Sequence, residues 1–470
     1  MKQDIYDIVK NFLIFFLGNF GSKIVTFLML PFYTNFLTTE QYGTIDIVNS
    51  LVLLFSPLIT LGMADAIFRF IMSKDYDNKE VFSIGIAINI TGWIILFIFL
   101  IFTSNFIPFN YLNYFFAILL SNTLYSLLSN FAKAKNKLMI YSLLGLLQTI
   151  LFVSLNIVFI KTLSYGILGY FASNVISNLV CILVYIIVLK IWHYIDLKKI
   201  TKKTLIDMLK YSLPLIPTTL SWWIIMLSDR YMITYFLGLS ANGIYAIANK
   251  IPTILNTIVT IFIQAWQISS INIYEKNTTK LGVFFSSSIN YYEMINFVVG
   301  SIFICISPLI MHVLVKGSYY EGWIAVPFLI ISIIFSSLSG YVATIFSAYK
   351  KNVVVCTSVI LGAIINIIFN YYLIPKAGIL GAAISSSLGY MFVFLIRLVY
   401  SRKLVDYKIS YRKLSINIFL IFIQSFAVII SFKVKYVLQL IVLICFVLNN
   451  LESIKKIYIN LIYLGKKRES

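Results

Sequence analysis

A few ionisable side chains stand inside long apolar stretches of this 470-residue sequence: Lys23, Arg230 and Lys250, with Asp46, Asp65, Arg69, Asp229 and Glu293. Such groups are expensive in apolar surroundings, and they mark a ligand site, an ion path or a paired structural network. The three cations Lys23, Arg230 and Lys250 suit an anion, above all a phosphate, because ammonium and guanidinium groups are its common partners. Asp229 and Arg230 are adjacent, so on a helix they point about 100° apart and do not pair face to face. Asp65 and Arg69 stand four apart in LGMADAIFRF, a spacing that lets them meet as a structural ion pair at a membrane interface. Asp46 and Glu293 are lone carboxylates that could couple a proton or a sodium ion. Enzyme chemistry finds no such footing. The two histidines, His193 and His312, are far apart, and the sequence holds no HExxH, Walker A or nucleophile-elbow motif. The four cysteines are scattered without metal-ligand spacing, so neither a metal nor another cofactor is expected. Without a nucleotide-binding loop, energy must come from a gradient or from the substrate.

The elements that carry these residues are set by composition. Hydrophobic residues make up 60% of the chain, charged residues only 11%, and the mean hydropathy is +0.93. A soluble fold could not bury that much apolar surface, so the expected class is an all-α polytopic membrane protein. Continuous runs rather than short alternating segments exclude a β-barrel. Fourteen runs have spanning length, near 11–34, 43–63, 82–104, 111–131, 138–160, 166–189, 211–237, 243–268, 283–311, 323–348, 353–374, 378–396, 414–431 and 436–450. The net charge of +20 does not imply nucleic acid, because Lys and Arg gather in short loops beside apolar runs, where they face anionic membrane lipid. With the N-terminus in the cytoplasm, only Lys161, Lys316, Lys376, Lys433 and Lys435 of the 37 basic residues fall in outward loops. Both termini are therefore expected in the cytoplasm. Residues 190–210 and 397–413 read as basic cytoplasmic connectors, with short amphipathic pieces on the bilayer surface.

The chain also repeats itself. An offset of 200 places TNFLTTEQYGTIDIVN (34–49) on TYFLGLSANGIYAIAN (234–249) with six identities in sixteen positions, and GILG at 166–169 recurs at 378–381. Spans one to six thus match spans seven to twelve. The expected organisation is a six-helix lobe at 11–189, a linker at 190–210, a second six-helix lobe at 211–400 and two added helices at 414–450. An even number of spans per half makes the repeat parallel, a design that suits halves rocking around a central site.

Three sequence blocks resemble a known family. GSKIVTFLMLPFYTNFLTTEQYG with LITLGMADAIFRF is similar to its first two spans, and LPLIPTTL with SDRYMITYFLGLSANGIYAIANKI to its seventh and eighth. SAYKKN followed by NYYLIPKAGILGAAISSSLGY is similar to the region of its eleventh and twelfth. The family is that of bacterial polysaccharide (O-antigen, Wzx-type) flippases within the multidrug/oligosaccharidyl-lipid/polysaccharide exporter (MOP) superfamily. The resemblance implies a V-shaped pair of lobes in the plasma membrane. It implies translocation of an undecaprenyl-diphosphate-linked oligosaccharide, with polysaccharide polymerase machinery as a partner. It also implies cleft cations in these spans, where Lys23 and Arg230 fall, with Lys250 less clearly placed. Rival readings are a flippase for the peptidoglycan lipid precursor, which carries a denser set of arginines in its first helices, and a cation-coupled drug antiporter with an acidic N-lobe pocket. A membrane oligosaccharide polymerase would need a substantial outward loop bearing catalytic Arg or Asp.

Overall fold

The computed structural model describes residues 24–73, 75–103, 111–257, 278–349, 351–429 and 435–451, with isolated positions between 258 and 277. Lys23 lies outside the described residues. The described chain is helical, with no strand, and nine of its helices are long and apolar enough to cross a membrane. It divides into two compact units, Met1–Leu227 and Ser228–Ser470.

The first unit holds α1 (Leu30–Phe36), α2 (Thr39–Ile59), α3 (Met63–Met72), α4 (Asn78–Thr103), α5 (Leu112–Ala134), α6 (Leu138–Asn156), α7 (Gly166–Leu189) and α8 (Lys202–Ser212). Helix α2 begins at a capping box: the Thr38 hydroxyl accepts from Gln41 N–H while the Gln41 side chain accepts from Thr38 N–H. It does not run on to residue 63 unbroken. Leu61 and Gly62 both take positive φ, 47° and 67°, and turn the chain into α3. A side chain at Gly62 would also press on Ser212 of α8, whose Cβ would be 3.3 Å away. The expected span 43–63 therefore ends in a left-handed corner, and α3 follows it as a separate helix.

The basic connector is more than a solvated tether. Thr201 caps α8, and its N–H and hydroxyl both donate to the Glu80 carboxylate at the start of α4. Met208 is fully buried in a cluster with Met63, Ile67 and Phe82. Lys199 pairs with Asp77 at 2.8 Å and holds its carboxyl below the usual range, but both side chains are about half exposed, so this pair adds little.

The second unit contains the rest of α9 (Leu215–Leu237), which crosses the division, then α10 (Leu239–Ala248), α11 (Thr278–Leu314), α12 (Val326–Ala348), α13 (Asn352–Ser401), α14 (Tyr411–Ile429) and α15 (Lys435–Asn449). Helix α13 spans the two expected runs 353–374 and 378–396, which meet at non-helical Gly378.

The sequence repeat is visible in the backbone. Leu37 caps the end of α1 and Leu237 is the last residue of α9, and each is followed within two residues by a new helix. The first glycine of both GILG motifs is left-handed, Gly166 at φ 53° and Gly378 at φ 60°. The last glycine of each is a close approach: a Cβ at Gly169 would lie 3.0 Å from that of Phe159, and one at Gly381 would lie 2.4 Å from Leu373 O. In both copies a serine four residues on, Ser173 or Ser385, donates back to that glycine's carbonyl.

Candidate functional site

The residues with the richest polar surroundings gather on α9, α10 and α13 of the second unit. Asp229 is 3% exposed. Its carboxylate accepts from the Tyr245 hydroxyl at 2.8 Å, from Asn370 Nδ2 at 2.5 Å and from the Ser386 hydroxyl. Asn366 extends the cluster: its Oδ1 accepts from Ser228 Oγ at 3.1 Å and from Asn370 Nδ2 at 3.1 Å. Local folding explains the convergence. Asn366 and Asn370 are one helical turn apart on α13, and the Gly378 bend brings Ser386, on the continuation of that helix, back toward them. Every donor around Asp229 is neutral, so no basic side chain balances the carboxylate among these bonds. Asn370 Oδ1 is buried and has no hydrogen-bond partner. Buried polar atoms of that kind call for an explanation such as an ion or a water. The cluster therefore offers hard oxygen ligands, one of them anionic, to a proton or a small cation.

The other expected residues fall in several places. Arg230 is half-buried beside this cluster, close enough to the Tyr245 hydroxyl to interact with it electrostatically. Lys250 is half-buried in the helical residues 250–257. In the first unit, Asp46 is buried and interacts electrostatically with Tyr170. Asp65 and Arg69 do not form the expected ion pair: both are exposed on α3, and the cation acting on Asp65 is Lys133 of α5. Spacing alone allowed the pair, but the α3–α5 packing places the carboxylate in the field of Lys133 instead.

Glu293 is 3% exposed and stands in a separate network. It accepts from Asn417 Nδ2 at 3.0 Å, and Asn417 Oδ1 in turn accepts from Asn449 at 2.9 Å and Asn450 at 3.2 Å. These bonds tie α14 and α15 to α11, which makes Glu293 a fastening for the added helix pair. Interhelical hydrogen bonds in membranes average about 0.6 kcal/mol and reach about 1.7. Asn417→Leu, which removes three of them, is expected to destabilise the second unit by about 2–3 kcal/mol. Equilibrium unfolding in mild detergent measures this.

Sequence reasoning missed one buried cation altogether. Arg397 was expected at the start of a cytoplasmic connector, yet α13 continues to Ser401 and leaves Arg397 only 1% exposed. Its Nε donates to Ser358 Oγ at 2.9 Å, one terminal nitrogen to Ser339 O at 3.1 Å and the other to Val355 O at 3.1 Å. It also missed Asn366, Asn370, Ser386 and Tyr245. A signal existed in part, since Asn366/Asn370 and Asn122/Ser126/Asn130 are polar stripes at four-residue spacing within apolar runs.

Residues 8–267, more than half of the chain, match the family described as polysaccharide biosynthesis protein. The chain belongs to that family. A curated relative, an uncharacterized membrane protein of Methanocaldococcus jannaschii, is 24% identical over 274 residues, which is 54% of this chain and 53% of the relative. The match thus spans about half the length of that relative. Among solved structures, the inward closed conformation of the lipid II flippase MurJ superposes with a TM-score of 0.70 at 14% identity, covering 94% of this chain and all of that one. The inward-facing conformation of a multidrug resistance MATE family transporter of the MOP superfamily gives 0.68 at 16% identity, with 81% and 94% covered. An outward-facing MATE transporter gives 0.61 at 18% identity, with 84% and 94% covered. This member of the polysaccharide biosynthesis family therefore has the fold of MOP-superfamily transporters, as its sequence blocks indicated, and it is a multi-pass membrane protein.

Proposed function

We propose that the protein is a flippase, carrying an undecaprenyl-diphosphate-linked oligosaccharide across the plasma membrane by alternating access, with a proton or sodium ion as the coupling partner. The observation that carries this reading is the buried Asp229 cluster in a chain of the polysaccharide biosynthesis family. Asp229, Asn366 and Asn370 would hold the coupling ion, and Tyr245 and Ser386 would keep the carboxylate in place. The orphaned Asn370 Oδ1 supports a small cation over a purely structural knot.

Lys23, Arg230 and Lys250 are assigned to the substrate's diphosphate, since an anion leaving water needs compensating charge. In this reading the two lobes are residues 11–189 and 211–400, both termini are cytoplasmic, and polymerase machinery receives the product. Asp46 and Asp65 remain secondary candidates for ion coupling.

The test uses a strain lacking the gene and complemented with variants. Arg230→Ala and Lys23→Ala are expected to lower surface polysaccharide about tenfold or more at unchanged protein level, because a charge-assisted bond to an anion contributes about 1.5–3 kcal/mol. Full complementation by both would contradict the anion assignment. The likeness to MurJ supports a second reading, the peptidoglycan lipid precursor as substrate. Rescue of cells depleted of their own flippase for that lipid, with polysaccharide unaffected, would favour it.

A further inference from the structure

The first unit holds a half-open cavity of about 430 Å³ between α2, α3, α4 and α5. That volume falls within the range of small-molecule sites, roughly 300–1,000 Å³. Its lining differs from the greasy walls usual there. Asn122, Ser126 and Asn130 form one stripe along α5, Asn89 faces them from α4, Thr60 comes from the corner after α2 and Asp65 from the first turn of α3.

Several bonds fix this wall. Asn178 Nδ2 donates to Asn122 Oδ1 at 2.6 Å, and Gln148 Nε2 donates to Asn178 Oδ1 at 3.2 Å, so a second layer of amides orients the first. Asn89 is 1% exposed; its Nδ2 is used on Gly85 O, while its Oδ1 is buried with no hydrogen-bond partner. A buried carbonyl oxygen on the wall of a polar cavity calls for a donor from whatever occupies it.

We propose that this cavity is a binding subsite for an uncharged, hydroxyl-rich sugar unit. The assignment rests on the flippase reading for the source of that sugar, the oligosaccharide of the lipid-linked substrate. Amides and hydroxyls both donate and accept, as a polyol requires, whereas a diphosphate would need cations and an organic cation would favour aromatic walls. The one carboxylate, Asp65, feels the charge of Lys133 on α5, whose ammonium lies over the Phe68 and Tyr141 rings. Its two oxygens can accept from a pair of sugar hydroxyls.

The test is ligand-observed saturation-transfer NMR on the full chain in lipid nanodiscs. The probes are methyl glycosides of glucose, galactose, rhamnose and N-acetylglucosamine, with tetraphenylphosphonium and inorganic pyrophosphate alongside. At least one glycoside is expected to bind, about tenfold more weakly after Asn89→Leu, and not measurably after Ser126→Phe, which fills the cavity without removing an amide contact. Thermal unfolding of each variant at the native temperature confirms that the fold is kept. Lipid-linked oligosaccharide from cells lacking the gene should displace the glycoside, and undecaprenyl phosphate should not. The subsite is overturned if no glycoside binds, if binding survives Ser126→Phe unchanged, or if these variants alter tetraphenylphosphonium binding instead. Glycoside binding in a protein whose deletion leaves surface polysaccharide intact would overturn the flippase reading and keep the subsite. Loss of polysaccharide on deletion with no glycoside bound would do the reverse.

Discussion

Asp229→Asn is expected to reduce surface polysaccharide between about fivefold and 150-fold, the range of typical coupling free energies, while the protein accumulates normally. Asparagine is nearly isosteric and keeps one acceptor oxygen. The hydroxyls of Tyr245 and Ser386 can rotate to accept from its amide group, so the cluster can re-form its bonds. What is lost is the charge that would attract a proton or cation. Asp229→Ala is a poorer probe, because it strands the Tyr245, Asn370 and Ser386 donors at about 1–3 kcal/mol each and so threatens the fold itself. The conservative variant separates the two roles. If Asp229 is only a knot joining α9 to α10 and α13, Asp229→Asn should export almost normally. If it couples ion and substrate movement, export fails in a protein that is still folded. Quantitative blotting of polysaccharide against protein level decides between them.

The second large effect concerns Arg397, and it runs against the usual idea of a conservative change. Arg397→Lys is expected to destabilise the protein by about 3 kcal/mol, and Arg397→Met by only about 1. Lysine keeps the buried charge but cannot reach Ser358 Oγ, Ser339 O and Val355 O together, because its donors radiate from one nitrogen. Methionine fills similar space and removes the charge. The two carbonyls lie within α12 and α13, where helix N–H groups already serve them, so little is stranded. Unfolding midpoints in detergent rank the variants. A lysine variant more stable than the methionine one would show that charge, and not the three-pronged geometry, is what the site needs.

These two sites also show where sequence reading succeeded and where it stopped. Hydropathy marked most helices closely: 166–189 was expected and Gly166–Leu189 is found, 323–348 was expected and Val326–Ala348 is found. The burial of an apolar run is a local property, so it can be read locally. The repeat was legible too in the paired GILG motifs, and the structure adds that the first glycine of each, Gly166 and Gly378, takes positive φ, which only glycine adopts cheaply. Asp229 was singled out because a carboxylate in an apolar run is costly wherever it points. Its partners were not, since Asn366, Asn370 and Ser386 lie more than 130 residues away, and their meeting depends on the Gly378 bend. Arg397 was misplaced for a related reason. Arginine at the end of an apolar run looks like a positive-inside anchor, and only the neighbouring helices reveal three acceptors waiting for it. The corner at Leu61–Gly62 was hidden because Leu61 is an unusual residue to take positive φ, and the fold alone imposes it.

In the proposed flippase, ion binding at Asp229 drives the movement of a lipid-linked oligosaccharide. The most direct measurement reconstitutes the purified protein in liposomes with lipid-linked oligosaccharide extracted from cells lacking the gene. It follows how fast the sugar becomes accessible to a membrane-impermeant lectin. The native protein is expected to accelerate this in proportion to an imposed proton or sodium gradient, and Asp229→Asn to abolish the gradient dependence. Translocation no faster than in protein-free liposomes, or equally gradient-dependent in the Asp229→Asn variant, would contradict it.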